Sequence, residues 1–511
     1  MLPFSRFLAA TAALLMGTAF AAELGQVAAY AIPAVTVPRL ERVVLNSVDT
    51  DEKFTLEIQP GHPQVLAASL PEGRYWIYDM VRSRKDIAHA PIEVRAHQVT
   101  ELGGLRWIDI GNHERALIAE PHADASAALK AWPSQWPDSP RSQWTQDRLP
   151  IKVNVTQDAP LSGLGLIADL ISLYEKEVNR PSVKQQLDQA KSPAHLLELA
   201  RLVATPTYDE LSRDADGNLL VGAEMGQLRE RKPSGEWTAI DTGTASALTA
   251  VYAGAGTRVV GTADGRLLAR QADGRWQAQR RLDPTEVVLD IDRLGKRWFV
   301  LAGRAGKPLG VLRSVDGVVL YSGSADDFSD LSPLRRISGR QILQPVNRIR
   351  GQVQGERYYL NADDDFGYFE GDSADWHALK PGHAVTHLRI TPANGTLTAF
   401  KAQGGFSKLS VSEDSGASWK SLDTPPYTVA DVQLQDATHG LAARFSMGAF
   451  SSNIEILSLE GAKWAKVGEF APAACRRTLK SEDGQHWFCL SAGGSILRIE
   501  DGKLKVESAV E

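Results

Sequence analysis

The sequence predicts a mainly β chain: a seven-bladed β-propeller at the C-terminal end, preceded by a small β-sandwich-like domain and a short helical hairpin. Two observations predict the propeller. From about Tyr208 onward one pattern recurs, an apolar strand, a small-residue turn, a second strand and a turn ending in Trp; the copy ALTAVYAGAGTRVVGTADGRLLARQADGRWQAQ, Ala247 to Gln279, is the clearest. Its period of roughly 40–45 residues suits a blade of four short strands. The second observation is the tryptophan ladder. Trp237, Trp276, Trp376, Trp419 and Trp464 open the last strand of successive units, and Val318 and Lys503 stand in that place in two more. Trp suits the position because it covers much apolar area between stacked sheets. The second strands are expected at Leu219–Ala223, Arg258–Thr262, Trp298–Ala302, Arg357–Ala362, Leu397–Lys401, Gly440–Arg444 and His486–Leu490.

Residues 1–22 read as an export signal. Arg6 supplies the positive start, Phe7 to Phe20 is an apolar and small-residue run, and Thr18 to Ala22 offers a small-x-small cleavage site. The run is shorter than the roughly 20 residues of a bilayer span. The mature chain is therefore expected in a bacterial periplasm or secreted, with no transmembrane span.

Residues 23–130 read as the sandwich-like domain. Phe54 to Ile58 and Tyr75 to Tyr78 alternate with period two, and Ile92 to Arg95 and Leu105 to Ile108 follow. Residues 131–159 are a connector. Pro133, Pro137, Pro140 and Pro150 oppose regular structure, while Trp132, Trp136 and Trp144 are too apolar for a free linker. Residues 160–204 are helical. Leu164, Ile167, Leu170, Ile171 and Tyr174 share one face, and Ser192 then caps a second helix with Pro193 at its first position. The propeller occupies 205–511.

Composition narrows the function. Hydrophobic residues make up 43% and charged residues 23%, which describes a folded chain, not a disordered one. A formal charge of −6 opposes a nucleic-acid partner, since phosphate binding needs a positive face. The two cysteines, Cys475 and Cys489, flank the turn Ser481-Glu482-Asp483-Gly484, so a hairpin would place them opposite each other and a disulfide is expected. Two thiols are too few for a zinc site. Asp363-Asp364-Asp365 reads as a solvated hairpin tip; no metal and no cofactor are expected.

Two stretches carry resemblances. The run from Leu70 to Trp107 resembles small exported β-sandwich domains, which bring no catalytic residues with them. Ser412-x-Asp414-x-Gly416-x-Ser418-Trp419 matches the Asp-box pattern, with Ser418 where Thr is usual. Degenerate copies end at Trp276 and Trp237. This resembles sialidases and the photosystem-assembly-factor propellers, and the repeat form is closer to the latter. The resemblance implies that Ser412, Asp414, Gly416 and Trp419 are fold elements. It also implies a non-catalytic role, an exported platform for binding or assembling another envelope protein. No catalytic residue is assigned. The Arg-Ile-Pro-like element that opens sialidase domains is missing, and Pro206 to Glu210 stands there instead. The alternatives are a glycan-active, sialidase-like hydrolase and a small-ligand receptor.

One irregularity points to a binding surface. Gly323 to Val346 is too long for a tight turn between blades and reads as a loop. It starts acidic, with Asp326, Asp327 and Asp330, and turns basic with Arg335, Arg336 and Arg340; Arg348 and Arg350 follow. Arginine suits bidentate binding of carboxylate or phosphate, so these five are the candidate partner or anion site. Pairing with the loop's own aspartates is the competing reading.

Overall fold

The computed structural model of the protein describes residues 23–37, 39–78, 91–111, 114–145, 187, 189–207, 210–254, 256–305, 313–337, 340–343, 349–362, 365–385, 387–391, 394–401, 407–425, 429–447, 452–461, 463–470, 475, 477–481, 486–491, 495–500 and 503–508. The stretch read as an export signal, the stretch expected to form a first helix, Arg348, Asp363 and Asp364 lie outside the described residues. The chain is mainly β and forms two compact units. One comprises Met1–Ala31, Leu40–Leu105 and Ala119–Ile151; the other Ile32–Arg39, Arg106–Ile118 and Lys152–Glu511.

The first unit is built on a mixed sheet. Its strands lie in the order Ile92–Val94, Gly73–Ile77, Arg42–Ser47, Lys53–Gln59, His62–Pro71, Leu24–Ala31 and Val99–Gly111. Alternation sets the faces: Tyr75 and Ile77 are buried while Arg74, in the same strand, is exposed. The strands expected of the sandwich-like domain are joined by hydrogen bonds into one sheet. The join is parallel, with Gln26 opposite Val99. Alternation in sequence identifies a strand's buried face but carries no signal for a parallel partner some 70 residues away. Helix α1 (Ala123–Ala131) follows, capped by His122, whose Nδ1 accepts from the Asp124 amide at 3.1 Å. The Pro/Trp connector is docked. Trp132 is buried, Trp136 meets His97 edge-on at 5.5 Å, and Arg141 donates to Glu101 and to the Leu129 carbonyl, both at 2.8 Å.

In the second unit, helix α2 (Pro193–Leu202) begins where the sequence placed it. The Ser192 hydroxyl accepts from the His195 amide at 3.1 Å, and Pro193 takes the first turn. Leu196 and Ala200 pack with Ile108, Ile118 and Met225. Glu224 holds the Ile32–Arg39 segment: its Oε1 accepts from the Val35 amide at 2.7 Å and the Thr36 hydroxyl at 2.9 Å. Arg106, almost wholly buried, donates to the Ala245 carbonyl at 2.9 Å and reaches Glu224 Oε2 at 3.4 Å.

The rest of this unit is a series of antiparallel meanders of four strands each, read in chain order, the third with a fifth strand, Arg340–Leu343, added. The second is representative: Leu248–Gly254, Thr257–Thr262, Arg266–Arg270 and Trp276–Arg281. Opening strands of the others are Glu210–Arg213, Glu286–Leu294, Arg350–Gln354, His387–Thr391, Val429–Leu434 and Arg477–Ser481. The first and last meanders share one eight-stranded sheet through a parallel pairing that sets Glu210 opposite Lys480. The core is not one mass but a succession of apolar layers between consecutive meanders. Leu220 and Leu228 meet Val260 and Leu268; Phe299 stacks on Tyr358 at 4.1 Å; Leu219 and Val221 meet Phe488 and Leu490 across the first and last. Sheets packed face to face in this sequence are a β-propeller arrangement.

Three expectations about the meanders change. Val318 does not open a last strand; it is buried within Arg313–Gly323, the third strand of its meander. The aromatic filling there comes from Phe328, which packs on Trp298 at 4.9 Å. Gly323 to Val346 is not a loop throughout, because Ser332–Arg336 pairs with Val319 to Ser322 and Arg340–Leu343 pairs with Arg313 to Asp316. Finally, Cys475 and Cys489 are disulfide-bonded with Cα atoms 4.7 Å apart, but Cys489 opposes Thr478 in register, and Cys475 lies just ahead of its strand.

Candidate functional site

Five opening strands bring charged residues together. Each charge has at least one apolar neighbour: Glu210 before Leu211, Asp290 between Leu289 and Ile291, Arg350 after Ile349, Arg389 between Leu388 and Ile390, Lys480 after Leu479. Opening strands of consecutive meanders touch one another, so charges far apart in sequence converge. Glu210 is the hub. Its Oε2 accepts from Arg350 at 2.7 Å and from Arg389, and Lys480 stands opposite it in the parallel pairing.

Burial pushes the Glu210 carboxyl up, but the Arg350, Arg389 and Lys480 charges outweigh it and hold the group below the usual carboxylate range. Asp290 goes the other way. Its burial raises the pKa more than Arg350 and a 2.6 Å hydrogen bond from the Gly351 amide lower it, and the Glu210 charge adds to the rise. Gly351 is required at that point. A Cβ there would lie 2.0 Å from the Tyr358 hydroxyl. Tyr358 is itself pushed well above the ordinary tyrosine value, first by burial and then by Asp290 and Asp292. The site therefore sets a carboxyl with a lowered pKa beside one with a raised pKa, among three basic side chains.

Of the five arginines expected to act together, the four that are described lie on three different strands, and Arg348 is outside the described residues. Arg350 enters the buried cluster. Arg335 lies on the outer strand Ser332–Arg336 with its guanidinium over the Trp376 ring at 4.4 Å. Arg336 opposes Val319, and Arg340 opposes Asp316 in register. The acidic residues before them are engaged elsewhere. Asp326 pairs with Arg293 at 2.9 Å, and Asp330 accepts from the Ser324 amide at 2.7 Å. Sequence reading missed Glu210, Asp290, Arg389 and Lys480. The signal available was a charged residue next to an apolar one in an opening strand.

The Ser412-to-Trp419 segment is a turn between the third and fourth strands of its meander. Asp414 Oδ1 accepts from the Ser412 hydroxyl at 2.7 Å and the Ser418 amide at 2.8 Å; Oδ2 accepts from the Ser418 hydroxyl at 2.5 Å. The Ser418 and Ser412 bonds lower its pKa from 3.8 to about 2. Gly416 takes a positive φ of 91°, and a Cβ there would lie 2.5 Å from Leu379 Cδ2.

No protein-family model matches the chain, and no curated protein matches it. Solved structures do resemble it. A structure titled "YCF48 bound to D1 peptide" is 16% identical and covers 58% of this chain and 93% of that one, with a TM-score of 0.40. An oligogalacturonate lyase from Vibrio parahaemolyticus is 10% identical over 59% and 89%, with a TM-score of 0.37. A chain of a mitotic checkpoint complex is 12% identical over 57% and 93%, with a TM-score of 0.38.

Proposed function

We propose that the protein is an exported, seven-bladed Asp-box propeller that serves as a non-catalytic platform for binding or assembling another protein of a bacterial cell envelope. One observation carries the reading. Glu210 is bound by two guanidiniums from other meanders, so the converging charges tie the scaffold together from inside. A fixed ring leaves its outer loops and strand edges to recognise a partner. Seven blades are supported by the meanders that open at Glu210, Leu248, Glu286, Arg350, His387, Val429 and Arg477. The Asp-box reading is supported by the three bonds Asp414 accepts across its turn. Export is supported by the composition of residues 1–22 and by the disulfide, which suits an oxidising compartment.

The test is crosslinking of the tagged mature protein in its own envelope, followed by identification of the crosslinked peptides. A single protein joined through propeller residues is the expected result. A second reading, a glycan-active hydrolase, has one specific support: Glu210 and Asp290 have pKa values pushed apart, as acid and base partners require. Sugar release from a glycan panel, abolished by Glu210→Gln or Asp290→Asn in folded protein, would replace the platform with that reading.

A further inference from the structure

A cleft of about 440 Å³ opens between residues 381–383 and the meander that begins at His387, and none of the buried charges of the opening strands lines it. That volume lies in the range of small-ligand sites, roughly 300–1,000 Å³. Pro381, His383, Lys408, Ser410, Trp419 and Asp423 are among its walls.

The walls are set in advance. A carbonyl only accepts, so the 2.8 Å contact between His383 Nδ1 and the Ala384 oxygen places a proton on Nδ1. In the neutral ring Nε2 then accepts from the Ser410 hydroxyl at 2.9 Å. Trp419 is held edge-on against Phe366 at 5.9 Å and stays partly exposed. Leu379 presses on the Gly416 turn that leads into it. An indole with fixed orientation needs no ordering when a ligand arrives.

The charges define the ligand. Lys408 and Asp423 line the same cleft, and among the described residues neither side chain has an ion-pair partner. A ligand with net charge would meet one of them as a like charge. A neutral, hydroxyl-rich molecule meets both, because each hydroxyl can donate to the carboxylate and accept from the ammonium. Ser407, Ser421 and Thr424 add further hydroxyl partners, while Trp419 and Leu422 offer apolar surface to a ring face. We propose that this cleft binds a neutral saccharide. The inference rests on the cleft alone and stands or falls apart from the platform reading.

The probes are glucose, N-acetylglucosamine and maltose, with glucuronate and glycylglycine as charged and zwitterionic controls. Binding to the full mature chain is followed by calorimetry and ligand-observed NMR. At least one neutral sugar should bind. Asp423→Asn and Lys408→Met should each weaken it about tenfold, the loss of one hydrogen bond to a charged group. Both positions are at the surface, so the variants should keep the wild-type circular dichroism. The proposal is overturned if none of the three sugars binds. It is equally overturned if both variants bind like wild type, or if either control binds more tightly than every neutral sugar.

Discussion

At the scale of single residues, burial decides which charges matter. Glu210 is 7% exposed and carries two arginine contacts. Replacing it with Gln would leave the guanidiniums buried without their counter-charge. Breaking a buried pair from one side costs about 3–5 kcal/mol. Urea unfolding of Glu210→Gln should show a loss of that order, and a change below about 1 kcal/mol would mean that solvent reaches the cluster. Asp414 is the opposite case, an exposed carboxylate whose turn bonds lower its pKa from 3.8 to about 2. A depressed folded value means that its stabilisation is complete above 3.8 and disappears as pH falls through about 2. Melting temperature against pH should therefore fall less steeply across that interval in Asp414→Asn than in wild type. Parallel acid limbs would show that the turn does not contribute to global stability.

At the scale of elements, the sequence was readable wherever a local pattern decides the outcome. The strand Arg357–Ala362 was placed with its observed bounds, and Trp237 and Trp276 do open last strands. Each depends only on alternation and a neighbouring turn. The third meander resisted because Pro333 lies inside the strand Ser332–Arg336, and proline argues against a strand unless the strand is at an edge. That strand is the outer one, opposite Tyr321, where proline is tolerated. The buried charge cluster was unreadable for a different reason. The partners of Glu210 lie 140 and 179 residues away, and no local periodicity encodes such a meeting. The disulfide was readable in pairing but not in register. It closes a segment with a sequence separation of 14, which in a chain-entropy account is worth about 3 kcal/mol. Cys475→Ala, Cys489→Ala and the double variant should lose similar amounts, since one bond is removed in each. Reaction of two thiols in native, unreduced protein would contradict the bond itself.

At the scale of the whole molecule, the first and last meanders are the place where the architecture can fail. Their opening strands pair in parallel, Glu210 with Lys480 and Leu211 with Ser481. An apolar layer of Leu211, Leu219, Val221, Leu479, Phe488, Leu490 and Ile496 lies between them. Removing the last meander would expose this layer on one side. It would also uncover the layer that Ala443 and Ile456 share with Trp487 and Leu497 on the other. Two uncovered sheet faces of this kind make an association site, because an exposed apolar patch seeks another surface. A chain ending at Phe470 should therefore not behave as a smaller, stable version of the parent. We expect it to form higher oligomers or precipitate, measured by light scattering coupled to size exclusion, and to unfold at lower urea than the full chain. A monomeric truncated protein with the parent's cooperativity would show that the meanders are independent of ring closure. In that case the Glu210–Lys480 pairing would be an end contact, not the closure of a propeller.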